Sequence, residues 1–359
     1  MNFVLNGQGH GNVASVLMAS NFDAGALRPF IGADGKSYVT MNTGKFDAEG
    51  KPIYNTLQTN ATATLRKDEW IQLDKAIIKA AQPRMNAVGD LRSAGLQYTI
   101  PNGLAKTVLE HEAQSDIGSA TISMDGLRQS DGDRPVYDLR SLPLPITHKD
   151  FSFSARQVMA SRNGGSPLDT TTAELAGRKV AEEVEKLLLG ESDSYAFGGG
   201  TVYGYRNFTY RLTKVITAPT TSNQATTVAE ILAMRKQSTD NNYFGPWMLY
   251  YGPAWYAFMD GDYSLAGGNN PNMTLRDRIK RIEGITDVKA ADYLTGNNTL
   301  LLVQQTPDVA RLVVGMDITT VQWESHGGMQ LNFKVMTIMV PQLRSDFTNQ
   351  TGIVHGASA

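Results

Sequence analysis

The stretch from Leu142 to Gln157, LPLPITHKDFSFSARQ, constrains the fold of this chain more than any other. Apolar and polar side chains alternate along it, at even positions in the first half and at odd positions in the second: Leu142, Leu144 and Ile146, then Phe151 and Phe153. Because side chains on a strand point alternately to its two faces, the buried face changes sides partway along. This predicts either a bulge near residues 147–150 or a strand that leaves one packing environment and enters another.

Pro143 and Pro145 limit where the first half can lie. Proline has no N–H to donate to a central ladder, so this half is expected at a sheet edge or on a protruding arm. We interpret the whole stretch as the joint between a projecting element and the body of the chain.

Length and composition exclude several classes of protein. The chain has 359 residues, more than the roughly 250 to 300 at which single cores stop growing, which predicts two subdomains. It has no cysteine, which excludes disulfides, thiolate nucleophiles and cysteine-based metal sites. A net charge of −2 without a block of five Lys or Arg is not that of a strong nucleic-acid binder. No apolar run approaches ~20 residues and no export signal begins the chain, so we expect no membrane partner.

Residues 1–62 are poor in apolar periodicity and rich in Gly, Asn, Thr and Ala, with DAEGKP at Asp47–Pro52 as a turn. Such a segment cannot bury enough surface to stabilise itself. It is either a disordered tail or an extended arm laid over another surface.

Residues 63–95 form a predicted helical segment. Leu65, Trp70, Leu73 and Ile77 follow one another at helical spacing, which indicates an amphipathic helix that Pro83 interrupts or ends. A second short helix is predicted to end at Gly95.

A long β-hairpin is predicted within residues 96–147. Ala120, Ile122 and Met124 alternate with polar residues, as do Tyr137 and Leu139, and the sequence DGLRQSDGDRP lies between the two runs. The two arms, of about 8 to 10 residues each, would reach about 30 Å, and two strands alone are marginally stable in water. The hairpin therefore either rests on another molecule, which we favour, or folds back on its own domain.

The polar tip of this hairpin is the predicted assembly interface. Its charged residues are Asp125, Arg128, Asp131, Asp133 and Arg134.

The strongest helix signal is SPLDTTTAELAGRKVAEEVEKLLLGE. Thr171 and Glu174 have capping-box spacing, and Gly190 stands where a helix-ending glycine belongs. The helix is expected to be about 30 Å long. Its predicted core stripe consists of Leu175, Val180, Val184 and Leu187.

Helix and strand signals alternate from about residue 220 to 325, which predicts an α/β subdomain. The chain then has a second long strand that also changes face, MQLNFKVMTIMVPQLRSDF. We expect this strand to pair with residues Phe151 to Arg156.

The common catalytic motifs are absent: there is no GxxxxGK[ST], no GxSxG and no HExxH, and the five histidines are scattered. Glycines 198–200 lack the strand, helix and acidic residue of a nucleotide site, and Asp131 and Asp133 are interpreted as solvated loop charges. We therefore predict no catalytic residues, no cofactor and no metal.

The order of these parts resembles the major capsid protein of tailed bacteriophages, with the Hong Kong 97-type fold, and within it the encapsulin-like (linocin-type) branch. The segments that carry the likeness are LRKDEWIQLDKAIIKAA, SLPLPITHKDFSF, SPLDTTTAELAGRKVAEEVEKLLLG, VVGMDITTVQWESHGGMQLNFKVM and VPQLRSDFTNQTGIVHG.

The resemblance implies an α+β capsid fold with five parts. They are an extended N-terminal arm (1–62), an N-terminal helical segment (63–95), an extended loop (96–147), a peripheral domain with a spine helix (148–195 and 329–359) and an axial domain (196–328). The extended loop is then expected to lie over a neighbouring subunit. No motif marks Lys106 or a partner for covalent cross-linking, so that chemistry is not carried over.

The function that the resemblance implies is a non-enzymatic shell protein. It would assemble with itself as hexamers and pentamers into an icosahedral virion capsid, in the cytoplasm of a bacterial host, around double-stranded DNA held by weak non-specific contacts. Portal, scaffolding and decoration proteins are possible further partners. The alternatives are an encapsulin compartment that packages a cargo enzyme and a soluble enzyme with an unrecognised site.

Overall fold

The structure is a computed structural model of the chain. It describes residues 28–47, 52–59, 63–114, 122, 124, 134–164, 169–220, 222–265, 268–296 and 298–358.

The helices alternate with sheet segments along the chain. They are α1 (Lys67–Ala81), α2 (Asn86–Ser93), α3 (Ala155–Gly164), α4 (Thr171–Leu189), α5 (Gln224–Asp240), α6 (Tyr256–Met259) and α7 (Leu275–Lys280). Short 3₁₀ turns lie at Gln82–Arg84, Gly103–Ala105, Pro253–Trp255 and His326–Gly328.

The strands belong to several sheets. They are β1 (Phe30–Ile31), β2 (Ser37–Phe46), β3 (Pro52–Gln58), β4 (Leu65–Arg66), β5 (Gln97–Thr99), β6 (Val108–Gln114), β7 (Tyr137–Pro143), β8 (Thr147–Ser154), β9 (Tyr195–Phe197), β10 (Gly200–Val202), β11 (Leu212–Ile216), β12 (Trp247–Tyr251), β13 (Asp262–Leu265), β14 (Gly268–Thr274), β15 (Ile285–Ala290), β16 (Leu300–Gln304), β17 (Ala310–Ser325), β18 (Gln330–Leu343) and β19 (Ile353–Ser358).

The first large sheet has the order β5-β17-β18-β8. Its centre is the antiparallel pair of the long strands β17 and β18, which runs from Ala310 opposite Leu343 to Ser325 opposite Gln330. The pairing of β18 with β8 brings Phe333 opposite Phe151, as the sequence predicts. The predicted strand continues to Arg156, but β8 ends at Ser154 and α3 begins at Ala155. Gln157 accepts a hydrogen bond from the Ser154 N–H at 2.9 Å and thereby caps that helix.

The change of face in the opening stretch follows from a change of sheet. Strand β7 pairs with β6, whereas β8 pairs with β18 in a different sheet and in unbroken register, so no bulge is needed. Leu142 and Leu144 pack in one cluster with Leu109 and Val340. Phe153 packs in another cluster, against Leu331 and Phe333 among others. The second of the two predicted explanations is therefore correct.

The spine helix α4 lies across this sheet and beside α1. Gly177 makes close contact possible, since a Cβ there would lie 2.7 Å from Cγ2 of Ile77. The helix ends at Gly190, which has φ +84° and so adopts a conformation that favours glycine. Its first helical residue is Thr171, whose backbone N–H donates to Asp169 at 3.0 Å, so the predicted capping role of Thr171 is wrong.

One residue of the predicted spine-helix stripe is misplaced. Val180, Val184 and Leu187 are buried, but Leu175 is 45% exposed. Five residues separate Leu175 from Val180, which at 100° per residue turns it well away from the stripe. Ala173 and Ala176, at spacings of seven and four, take the buried positions instead.

The second large sheet has the order β11-β19-β16-β12-β15 and is packed by α5 and α7. Every residue of β12 and β16 is buried, as expected for strands covered on both faces. Strand β19 corrects one predicted boundary, because residues 353–358 lie in this sheet rather than with the peripheral part. Ile353 and Val354 fill the clusters on its two faces.

The described part of the N-terminal arm is a β-hairpin. Strands β2 and β3 pair antiparallel, and β1 joins β2 to β4. Residues 48–51 of the turn predicted at Asp47–Pro52 lie outside the described residues. The arm is fixed to α1, because the Arg28 guanidinium lies 2.5 Å from Asp74 and 4.7 Å from the centre of the Trp70 ring. Residues 1–27 lie outside the described part of the chain.

Candidate assembly surfaces

The base of the β6–β7 hairpin is anchored to its own subunit. Leu109 and Leu142 are buried in the cluster beneath it. The Arg140 guanidinium donates to the Ser345 hydroxyl at 2.6 Å, to the Asp346 carbonyl at 3.3 Å and to Asn349 at 3.2 Å. These bonds fix the hairpin to the segment that leads into β19, and therefore fix the direction in which it projects.

Strand β10 supports the same base from the other side. It crosses β7 so closely that a Cβ on Gly200 would lie 2.2 Å from the carbonyl oxygen of Ser141. Val202, two residues on, is fully buried in the cluster beneath the hairpin. The β6–β7 hairpin is thus held rigidly to the body of the subunit as far as Ser141, where β10 crosses it.

The outer part of the hairpin exposes apolar side chains. Leu139 is 61% exposed, and Val136 and Tyr137, close to it in the sequence, are exposed too. Ile122 and Met124, in the segment that joins β6 to β7, are also exposed. Contiguous patches of exposed apolar side chains mark surfaces that bind another molecule. Arg134 is exposed as well. The other predicted interface residues, Asp125, Arg128, Asp131 and Asp133, lie outside the described residues.

The arm hairpin presents a second apolar surface. Ile53, Tyr54 and Leu57 on β3 are exposed, and β3 is the edge of its sheet. An exposed edge strand with apolar side chains is a template for pairing with another chain. The sequence pattern did not predict these strands, because polar residues interrupt the apolar alternation of β2, SYVTMNTGKF.

Glu185 lies at the junction of the spine helix with α2. It is 2% exposed, and its carboxylate accepts hydrogen bonds from the backbone N–H groups of Ala87 at 2.6 Å and Val88 at 3.1 Å. Burial raises the pKa of Glu185 to about 7, a rise that the two hydrogen bonds partly oppose.

The same junction reaches the five-stranded sheet through Asp90. The Tyr250 hydroxyl on β12 donates to Asp90 at 3.0 Å, and Lys289 on β15 pairs with the other carboxylate oxygen. The ring of Tyr205 stacks on that of Tyr250, and its buried hydroxyl has no described partner. This polar cluster therefore ties the spine helix and α2 to the five-stranded sheet.

An open cleft of about 420 Å³ lies beside this junction. Four of its five charged side chains pair with one another: Lys280 lies 2.5 Å from Asp287, and Lys289 pairs with Asp90. Paired charges of this kind are typical of a structural junction as well as of active sites. Among the described residues no group of three His, Asp or Glu could hold a metal ion.

No described helix is long and apolar enough to span a membrane.

Comparison with known proteins identifies the family. A family model described as "Family of unknown function (DUF6260)" matches residues 60–356. The chain belongs to the DUF6260 family. No curated protein sequence matches the chain.

Solved structures with the same fold as this DUF6260 chain are shell subunits. A virus-like particle from Pyrococcus furiosus is 17% identical, with a TM-score of 0.58 over 80% of this chain and 98% of that one. The capsid of Myoviridae phage XM1 is 9% identical, with a TM-score of 0.56 over 74% and 90%. The capsid of a native GTA particle is 13% identical, with a TM-score of 0.53 over 75% and 90%. The predicted α+β fold of the Hong Kong 97 type is confirmed.

The DUF6260 match adds to the interpretation of the arm. It begins at residue 60, after the β2–β3 hairpin of the arm, and ends at residue 356 in β19. It therefore covers the β6–β7 hairpin, the spine helix and both large sheets up to that residue. Sequence reasoning missed the polar junction of the spine helix, although a signal was present. Glu185 is four residues from Ala181 and three from Leu188, both buried, and so lies on the buried face of the helix.

Proposed function

We propose that this chain is a major capsid protein, whose copies assemble as hexamers and pentamers into an icosahedral phage head. The observation that carries the proposal is the fold, which is shared over about three quarters of the chain with the XM1 and GTA capsid subunits. In this reading the chain has a structural role without catalysis.

The projecting hairpin supports a role in contacts between copies. Its base is rigidly held through Arg140, while Tyr137 and Leu139 further out remain exposed. A lone subunit gains nothing from exposed apolar side chains of this size, whereas a shell subunit can bury them against its neighbour. We assign the outer hairpin, with its charged tip, and the arm hairpin to the surfaces that contact other copies.

The further partners follow from the proposed role. The capsid would enclose double-stranded DNA through weak, non-specific contacts, in line with a net charge of −2. Portal, scaffolding and decoration proteins would be separate chains, and assembly would take place in the cytoplasm of a bacterial host.

A second candidate is the shell of a compartment that packages a cargo enzyme. This second candidate is supported by the likeness to the virus-like particle from Pyrococcus furiosus, which covers 98% of that chain. The two candidates share the fold and the self-assembly and differ in what the shell contains.

Electron microscopy of the purified full-length chain, alone and with a co-expressed scaffolding protein, tests the proposal. Closed shells wider than about 40 nm are expected for a phage head, and small uniform shells indicate a cargo compartment. A soluble monomer under both conditions would contradict both candidates and favour an enzyme.

A further inference from the structure

The hairpin base and the first large sheet enclose a cluster of basic side chains. On the hairpin, His111 of β6 lies opposite Arg140 of β7. On the sheet, Arg311 of β17 lies opposite Gln342 of β18. On each of these strands, the residue two positions away belongs to one buried cluster. These residues are Leu109 on β6, Leu142 on β7, Val313 on β17 and Val340 on β18. Since alternate residues of a strand share a face, the four polar side chains lie together at the margin of that cluster.

Arg344 completes this basic junction, which we define as His111, Arg140, Arg311, Gln342 and Arg344. Burial and the nearby guanidiniums of Arg344, Arg140 and Arg311 lower the pKa of His111 to about 4, so the histidine is neutral at pH 7. Burial and Arg344 also lower the pKa of Arg311. The charges of Arg311 and Arg344 are therefore close enough to repel each other.

The described residues pair only one of the three guanidinium charges of the junction with a carboxylate. Arg140 has one carboxylate neighbour, Asp138, at 3.2 Å. Arg311 donates to the neutral amide of Gln342 and stacks on the Tyr98 ring, 4.5 Å from its centre. No described carboxylate lies within ion-pair distance of Arg311 or Arg344.

Two buried polar atoms of the junction also lack partners. Gln342 is 1% exposed, and its Nε2 donor has no described hydrogen-bond partner; the same holds for Nδ1 of His111. Leaving a buried amide donor unpaired is unfavourable by about 1 to 3 kcal/mol. An unpaired amide donor next to two guanidiniums without a carboxylate partner is the arrangement that recognises a carboxylate or a phosphate.

We infer that the basic junction is a binding site for an oxyanion. The ligand is either a free inorganic anion such as phosphate or a carboxylate supplied by a second copy of this chain. The inference concerns a site between hairpin and sheet and does not depend on what a shell would contain. Its consequence is that the hairpin is held most firmly when an anion is bound.

Thermal unfolding of the full-length subunit in phosphate and in chloride at equal ionic strength tests the inference. Phosphate stabilises proteins generally, so the measured quantity is the difference between variants. At ten times its Kd, a bound anion is expected to raise the Tm of the wild type by about 2 to 3 °C beyond that general effect. Arg344→Gln should lose this increment, whereas Arg156→Gln, at an exposed position on α3, should keep it.

Gln342→Glu is the decisive second variant. It replaces an amide whose Nε2 is unpaired with a carboxylate beside Arg311 and Arg344, so it should raise the Tm in chloride and abolish the response to phosphate. An unchanged phosphate response in both Arg344→Gln and Gln342→Glu would overturn the inference. So would a wild-type response no larger than the general effect, which means that no anion binds here.

Assembly in phosphate-free buffer distinguishes the two sources. If the anion is a carboxylate of a second copy, Gln342→Glu fills the site and sedimentation should show a loss of association. If it is a free inorganic ion, the same variant should associate as the wild type does. Failure of the wild type to associate both alone and with a scaffolding protein would contradict the proposed function and leave the thermal test of the site intact.

Discussion

Replacing Glu185 with glutamine is expected to remove most of the pH dependence that this residue gives to the stability of the subunit. Its carboxylate is buried between the spine helix and α2, with two backbone N–H groups as partners and Asp90 nearby. Glutamine has the same shape, keeps one oxygen for those donors and carries no charge. The variant therefore isolates the effect of ionisation from that of packing.

The magnitude follows from the raised pKa. Burial raises the pKa of Glu185 from 4.5 to about 7, so the folded state holds its proton over a pH range in which the unfolded state has lost it. The stabilising effect is complete below about pH 4.5 and is lost as the pH rises through 7. At about 1.4 kcal/mol for each pKa unit, this residue lowers the free energy of unfolding by about 3 kcal/mol between pH 4.5 and 8.

Urea unfolding of the subunit at pH 5 and pH 8, followed by tryptophan fluorescence, measures this effect. Glu185→Gln should lose about 2.5 kcal/mol less than the wild type between the two values. Glu183→Gln, at an exposed position on the same helix, is the matched control and should behave as the wild type does. Equal pH dependence in the wild type and Glu185→Gln would refute the argument, because Glu185 would then titrate normally in the folded state.

Three further predictions concern the spine, the hairpin and DNA. Val184→Asp places an unpaired charge at a fully buried position, at a cost of several kcal/mol out of a typical 5 to 15, so circular dichroism and gel filtration should show a misfolded chain, whereas Glu183→Lys should fold. A folded Val184→Asp subunit would mean that the helix is wrongly placed. Deletion of Gly126–Arg134 should leave a folded subunit that forms no stable shells in electron micrographs, and normal shells would disprove the role of the tip. Isolated subunits should bind duplex DNA only weakly at physiological salt, and nanomolar affinity in a filter-binding assay would contradict this.

Periodicity in the sequence predicted the elements whose buried faces are regular. Trp70, Leu73 and Ile77 are all buried in α1, and the stripe through Val180 and Val184 is buried in α4. The pairing of β8 with β18 was predictable because Phe151 and Phe333 belong to strands with matching alternation. In each case one apolar face packs against one core, and under that condition the spacing of apolar residues predicts the element and its buried face.

The remaining features depend on contacts between distant residues. Strand β17 runs from Ala310 to Ser325, but register shifts near Met316 interrupt the alternation by which its full length could be predicted. The shifts lie where the turn at Gly103 crosses so closely that a Cβ there would be 2.4 Å from Gly315. The buried role of Glu185 was equally hidden, since its partners are backbone groups almost 100 residues away in the sequence.

A cryo-electron-microscopy reconstruction of the assembled particle tests the central claim most directly. The account predicts a closed icosahedral shell in which the outer part of the β6–β7 hairpin, with Tyr137 and Leu139, is buried against a neighbouring copy. A hairpin folded back on its own subunit, or a chain that yields no closed particle, would contradict it.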